Sequence, residues 1–174
     1  SAIVIVLLTV AVRVLSLMTT GFPFQTKEPY QISVMMQAVW IIVPWLTWAV
    51  ANWGISTIID GEGKFVDVLS GSAFVFVPYI VIMLPLALLT NLLSLNEGLI
   101  VNGITWIVYC WVALLALVKV KVIHDFEPAK VLWITLLTVI GMFIVWFIGL
   151  LLFGLINQAF SFVIDIYKEL SFRW

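Results

Sequence analysis

The chain has 174 residues, of which 64% are hydrophobic and 10% charged, with a formal net charge of −1 and a mean hydropathy of +1.24. A water-soluble domain of this size carries roughly 25% charged residues, so the composition excludes a water-solvated fold and requires lipid as the solvent. The absence of a basic run excludes nucleic acid as a partner, and the lone Cys110 excludes an internal disulfide or a cysteine-based metal cage.

About 20 apolar residues cross a bilayer as a helix, and the chain divides into five such stretches. The first runs from Ser1 to about Thr20 and is interrupted only by Arg13. It opens inside an apolar run with no charged n-region, which argues against a signal peptide and for a segment upstream. A loop with Gly21, Pro23 and Pro29 leads to a second span, Gln31 to about Ile59, long enough to tilt. The loop "IIDGEGKFVDV" follows, with Asp60, Glu62, Lys64 and Asp67 around Gly61 and Gly63. The third span is Ser72 to Leu93 and the fourth Leu99 to Val118, and a polar connection, Lys119 to Lys130, joins it to the fifth, Val131 to Leu155.

In the tail, 157–174, Phe160, Val163, Ile164, Tyr167 and Leu170 recur at helical spacing, with Asp165, Lys168 and Glu169 opposite. This is an amphipathic helix, expected at the membrane surface or docked on the bundle. Nine Trp and twelve Phe suit membrane interfaces. The expected fold is all-α: one polytopic membrane domain over 1–174, a five-helix transmembrane bundle with a C-terminal amphipathic helix. An odd number of spans puts loops 60–69 and 119–130, with Lys64, Lys119, Lys121 and Lys130, on one side. Lys27, Lys168 and Arg173 lie on the other. The excess of lysine places the N-terminus in the cytoplasm and the C-terminal tail outside.

Arg13 is the one full charge well inside a span. Glu28, Glu97 and Asp165 are the acids on its side of the membrane, and Arg13–Glu97 is the candidate intramembrane ion pair, with snorkelling to the headgroups as the alternative. Pro44, Pro78 and Pro85 lie within spans and tend to kink helices. Asn52, Asn91, Asn102 and Asn157 are expected to hydrogen-bond across helices for about 1 kcal/mol each. Cys110, in an apolar run, reads as a small buried hydrophobe.

His124, in "KVIHDFEPAK", has too few neighbouring ligands for a metal site. The segment reads instead as a helix start, with Asp125 capping, Glu127 at the positive end of the dipole and Pro128 in the first turn. The glycine loop lacks the Gly-x-x-x-x-Gly-Lys-Ser/Thr spacing of a phosphate cradle, and its acids do not follow the calcium-loop pattern. It reads as a wet turn whose Gly61 and Gly63 allow a tight reversal. A second reading makes Asp60, Gly61, Glu62, Gly63 and Lys64 a partner-docking loop. One histidine and no paired intramembrane carboxylates leave no acid–base or nucleophilic set, so no enzyme activity, cofactor or metal is expected.

The stretches "WLTWAVANWGISTIIDGEGKFVDVL", "VPYIVIMLPLALLTNLLSLNEG" and "HDFEPAK" resemble the Yip family of multi-pass membrane proteins, most of all bacterial members of Gram-positive type. The resemblance covers nearly the whole chain, including the closing "IYKELSFRW". It implies five transmembrane helices with a cytoplasmic N-terminus, in a bacterial plasma membrane. It brings no catalytic residues, and it marks Asn96, Glu97 and His124 as loop positions without an assigned role. Eukaryotic members work with Rab GTPases in vesicle traffic, machinery that bacteria lack. Bacterial relatives follow an extracellular repeat domain and are genomically tied to carbohydrate uptake. The expectation is a non-enzymatic accessory, scaffolding or regulatory subunit, whose partners are lipid and other membrane subunits such as the permease of a carbohydrate ABC transporter. The alternative is a small transporter or channel, which requires a hydrated cavity lined by Arg13 with Asn52, Asn91 or Asn102.

Overall fold

A computed structural model describes residues 1–25 and 31–171, with side-chain surroundings as far as Glu169. Among the described residues six α-helices run in order: α1 Ala2–Thr19, α2 Val34–Ile58, α3 Phe65–Phe74, α4 Val77–Leu89, α5 Gly98–His124 and α6 Pro128–Ser171. Because α3 and α4 together make one crossing, five helical stretches among the described residues are long and apolar enough to span a membrane. The protein is an all-α, polytopic integral membrane protein, as its composition requires.

What is buried differs in kind from a soluble core. On α2 the inward stripe is Gln37, Ile41, Trp45, Ala49, Asn52 and Ser56, stepping by three or four residues. Small and polar side chains share this inward face with Ile41 and Trp45, while Val39, Trp40, Val43, Leu46 and Val50 are exposed. Lipid is as apolar as leucine, so close packing and interhelical hydrogen bonds, rather than hydrophobicity, decide which face turns inward. The main cluster joins α1, α2 and α3 through Val6, Val10, Ile41, Trp45 and Ala73. A second, of Val120, Phe126, Val131 and Ile134, ties α5 to α6 at the end of the bundle that carries the glycine loop.

Three boundaries depart from expectation. The third crossing is helical from Phe65, not Ser72, and breaks at Val75–Phe76, where Pro78 sits in the first turn of α4. Pro44 and Pro85 lie inside continuous helices. The connection 119–130 is mostly helix, because α5 continues to His124 and α6 begins at Pro128. Its lysines ride on the helix surface: the Lys119 ammonium lies 5.8 Å from the centre of the Phe74 ring. Finally, α6 runs unbroken for 44 residues, so the fifth span and the amphipathic tail are one helix. Phe160, Val163, Ile164 and Tyr167 are exposed on it, as is Asn157, and 172–174 lie outside the described residues. Cys110 is exposed on α5 rather than buried, since its apolar run is the lipid-facing side.

A buried polar contact ties α6 to α2. Asn52 Nδ2 donates to Thr138 Oγ1 at 3.2 Å, with Asn52 1% and Thr138 0% exposed. Thr138→Val should cost about 1 kcal/mol of stability by stranding the asparagine amide. Asn52→Leu combined with Thr138→Val should cost less than the sum of the two single changes. Thermal unfolding in detergent measures both, and strict additivity would show that the bond contributes nothing.

Candidate functional site

The sequence-derived positions separate to opposite ends of the bundle. Asp60–Lys64 and His124 meet at one end; Asn96 and Glu97 lie at the other, with Arg13 inside the bundle toward it.

The first group is built by two helices that end alike. α2 finishes with Asp60 at φ 58°, and α5 with Asp125 at φ 52°. Gly61 N–H donates to Ser56 O at 2.8 Å, and Phe126 N–H to Lys121 O at 3.3 Å, so each chain turns off its helix through a left-handed aspartate. Asp125 therefore closes α5 instead of capping α6, while Pro128 does open α6 as expected. The reversal at the glycine loop also has a different cause from the one expected. No glycine has a positive φ among the described residues. Gly61 and Gly63 are needed for close approach: a Cβ on Gly61 would stand 2.8 Å from His124 Nδ1, and one on Gly63 would stand 2.7 Å from the same atom.

His124 is 2% exposed and is the post on which the loop is hung. Gly63 N–H donates to its Nδ1 at 3.3 Å, which requires that nitrogen to be unprotonated and puts the ring proton on Nε2. The ring stacks on Phe126, centroids 5.4 Å apart and 16° from parallel. Lys130 lies 4.5 Å from the centre of the Phe126 ring and donates to Ile59 O at 3.2 Å, satisfying a carbonyl at the end of α2. Asp60, Glu62, Lys64 and Asp67, together with Lys121, Asp125, Glu127 and Lys130, are exposed. The result is a fastened backbone with its charges turned outward. No group of three or more histidine, cysteine or acidic side chains is placed to hold a metal ion among the described residues.

At the other end Arg13 and Glu97 do not pair. Glu97 folds back on its own turn, its carboxylate accepting from Ser94 N–H at 2.7 Å in a capping box. Arg13 Nε donates to Gln37 Oε1 at 3.0 Å and its Nη1 to Tyr79 Oη at 3.2 Å. Tyr79 in turn stacks on Tyr109, centroids 6.3 Å apart. Gln37, Tyr79 and the neighbouring Tyr109 are neutral partners, so the guanidinium charge is held by hydrogen bonds inside the bundle. Asn96 is exposed in the short turn beside Glu97. Gln37, Tyr79 and Tyr109 are absent from the sequence-derived set. The usable signal for Gln37 was its four-residue spacing from Ile41, Trp45 and Ala49 on the inward stripe.

Of the four asparagines expected to bond across helices, Asn52 and Asn91 are spent within the bundle, and Asn102 and Asn157 are exposed instead. Asn52 holds Thr138, and Asn91 donates to Thr19 O at 2.7 Å, while Asn102 is exposed on α5. None of them joins Arg13.

The Yip1 domain family model matches residues 1–156, from the first helix well into α6. No curated protein and no solved structure matches the chain.

Proposed function

Since the chain belongs to the Yip1 domain family, we propose that it is a non-enzymatic accessory, scaffolding or regulatory subunit that docks onto a larger membrane complex through the charged end carrying Asp60–Lys64. The observation that carries this reading is the His124 fastening. A loop hung on a buried ring by Gly61 and Gly63 presents Asp60, Glu62 and Lys64 in one fixed arrangement. A partner then loses little conformational entropy from the loop on binding. The lysine excess at this end favours a cytoplasmic location for the loop and for the N-terminus. The resemblance makes the permease of a carbohydrate ABC transporter the first partner to seek. The transporter alternative draws less support, because Asn52 and Asn91 have bundle partners and Asn102 is exposed, instead of lining a cavity with Arg13.

Affinity purification of the full-length protein from native membranes in mild detergent tests the proposal. Asp60→Asn with Glu62→Gln keeps a residue that tolerates the left-handed backbone and removes two charges. The co-purifying permease should fall several-fold while expression and melting temperature stay unchanged. Recovery of a lone monomer or homo-oligomer from wild type, or an undiminished complex with the variant, would sink the docking role.

A further inference from the structure

The cavity beside Arg13 has no part in the docking reading. About 250 Å³ in volume, it lies between α1, α2, α4 and α5, with Arg13, Trp40, Tyr79 and Tyr109 on its walls and Phe76 and Val112 among its lining. Phe76 and Val112 also line a second cavity of about 200 Å³, bounded further by Trp48, Ser72, Ala116 and Met142. The two cavities adjoin at these shared residues, and together they have a direction. Arg13 stands six residues before the end of α1, about 9 Å along the helix, while Ala116 stands eighteen residues into α5, about 27 Å from its start at that same end. Beyond Ala116 the space shrinks to about 10 Å³ near Lys119, room for roughly one water, so the pair is a blind slot. It is cationic near one membrane face and apolar toward the other.

We propose that this slot binds one anionic phospholipid, its phosphate on Arg13 and an acyl chain running past Phe76 and Val112 toward Ala116. Three observations converge. The Arg13 guanidinium has five N–H donors, more than Gln37, Tyr79 and Tyr109 occupy with one each, and none of the three is an anion. A charge this deep in the hydrocarbon is costly unless a counter-charge meets it. The upper walls carry the polar tips of Tyr79 and Tyr109 together with Trp40, whereas the lower lining is apolar apart from Ser72, whose hydroxyl is taken by Trp45 Nε1 and Leu69 O. Net charge decides the lipid class. A zwitterionic headgroup would return a positive charge to the site, while an anionic one neutralises Arg13 and leaves its tail in a space that already has the polarity of a tail.

Native mass spectrometry of the full chain in mild detergent is the test, with phosphatidylglycerol, phosphatidylcholine and inorganic phosphate titrated separately. Wild type should retain one phosphatidylglycerol in preference to phosphatidylcholine. Arg13→Gln should weaken that retention about tenfold, the loss of a charge-assisted contact, and Arg13→Lys should restore part of it. Ala116→Phe, which fills the lower cavity without touching Arg13, should also weaken it in a protein that still melts cooperatively. Equal retention by wild type and a folded Arg13→Gln, or by wild type and a folded Ala116→Phe, overturns the proposal. So does inorganic phosphate binding to Arg13 with no lipid retained, which would define a small-anion site instead.

Discussion

Gly63→Val should unfasten the second loop and lower stability by about 2 kcal/mol, the range of an overpacked core position. The new Cβ would sit 2.6 Å from Ile123 Cγ2 and 2.7 Å from both Cε1 and Nδ1 of His124. These atoms belong to a stacked ring and a packed branch, so the loop must lift, and the Gly63–His124 bond is lost as it does. Gly103→Ala is the control: nothing lies within 4 Å of the position, which is inside α5, so alanine should be neutral or slightly stabilising. Adding His124→Ala to Gly63→Val should cost less than the two changes made separately, because the ring that obstructs the valine is gone. Thermal unfolding followed by size-exclusion fluorescence reads all four proteins. A wild-type melting temperature for Gly63→Val would mean that the loop does not rest on His124.

Trp45→Ala should have the larger effect, about 3 kcal/mol. The indole is 7% exposed at the junction of α1, α2 and α3, and its Nε1 donates to Ser72 Oγ at 3.0 Å. Tryptophan truncation in a soluble core costs about 3–5 kcal/mol. In a bilayer the unfolded reference is itself apolar, so the transfer contribution fades, while the lost packing and the cavity remain. The expectation is therefore at the low end. Trp133→Ala, at a position 69% exposed, should change stability by less than about 0.5 kcal/mol. Similar losses at both positions would show that indole chemistry, rather than burial, sets the effect.

The five crossings were legible because an apolar run near twenty residues has one stable outcome in a bilayer. Where each crossing breaks was not. Pro44, Pro78 and Pro85 look alike in sequence, yet only Pro78 coincides with an interruption, because neighbouring helices decide whether the backbone groups freed by a proline are satisfied. The pairing of Arg13 was misread for a related reason. Sequence offers a charge only other charges as partners, whereas the fold supplies neutral acceptors 24 and 66 residues away. The Gly-x-Gly loop was noticed, but the reason for its glycines is a ring 61 residues distant in the chain, which local spacing cannot reveal. The turn at Ser94–Glu97 is the reverse case: its Ser-x-x-Glu spacing is a local capping signature that could have removed Glu97 from the list of partners for Arg13.

The length of α6 sets a limit on how this molecule can sit in its solvent. Forty-four residues at 1.5 Å each make a rod of about 66 Å, against a hydrocarbon film of about 30 Å. Lean alone cannot absorb the difference, because fitting the rod inside the film would require an inclination of about 60°, well beyond the usual range of up to about 40°. Close to half of the helix must therefore leave the hydrocarbon, and Phe160, Phe162, Val163 and Ile164 ride on that part. A straight, upright α6 would hold these side chains in water. A bend near the middle of α6, where the helix leaves the film, would lay its last turns along the bilayer surface and relieve that cost, and the helix that anchors the bundle through Thr138 would then also touch the membrane plane.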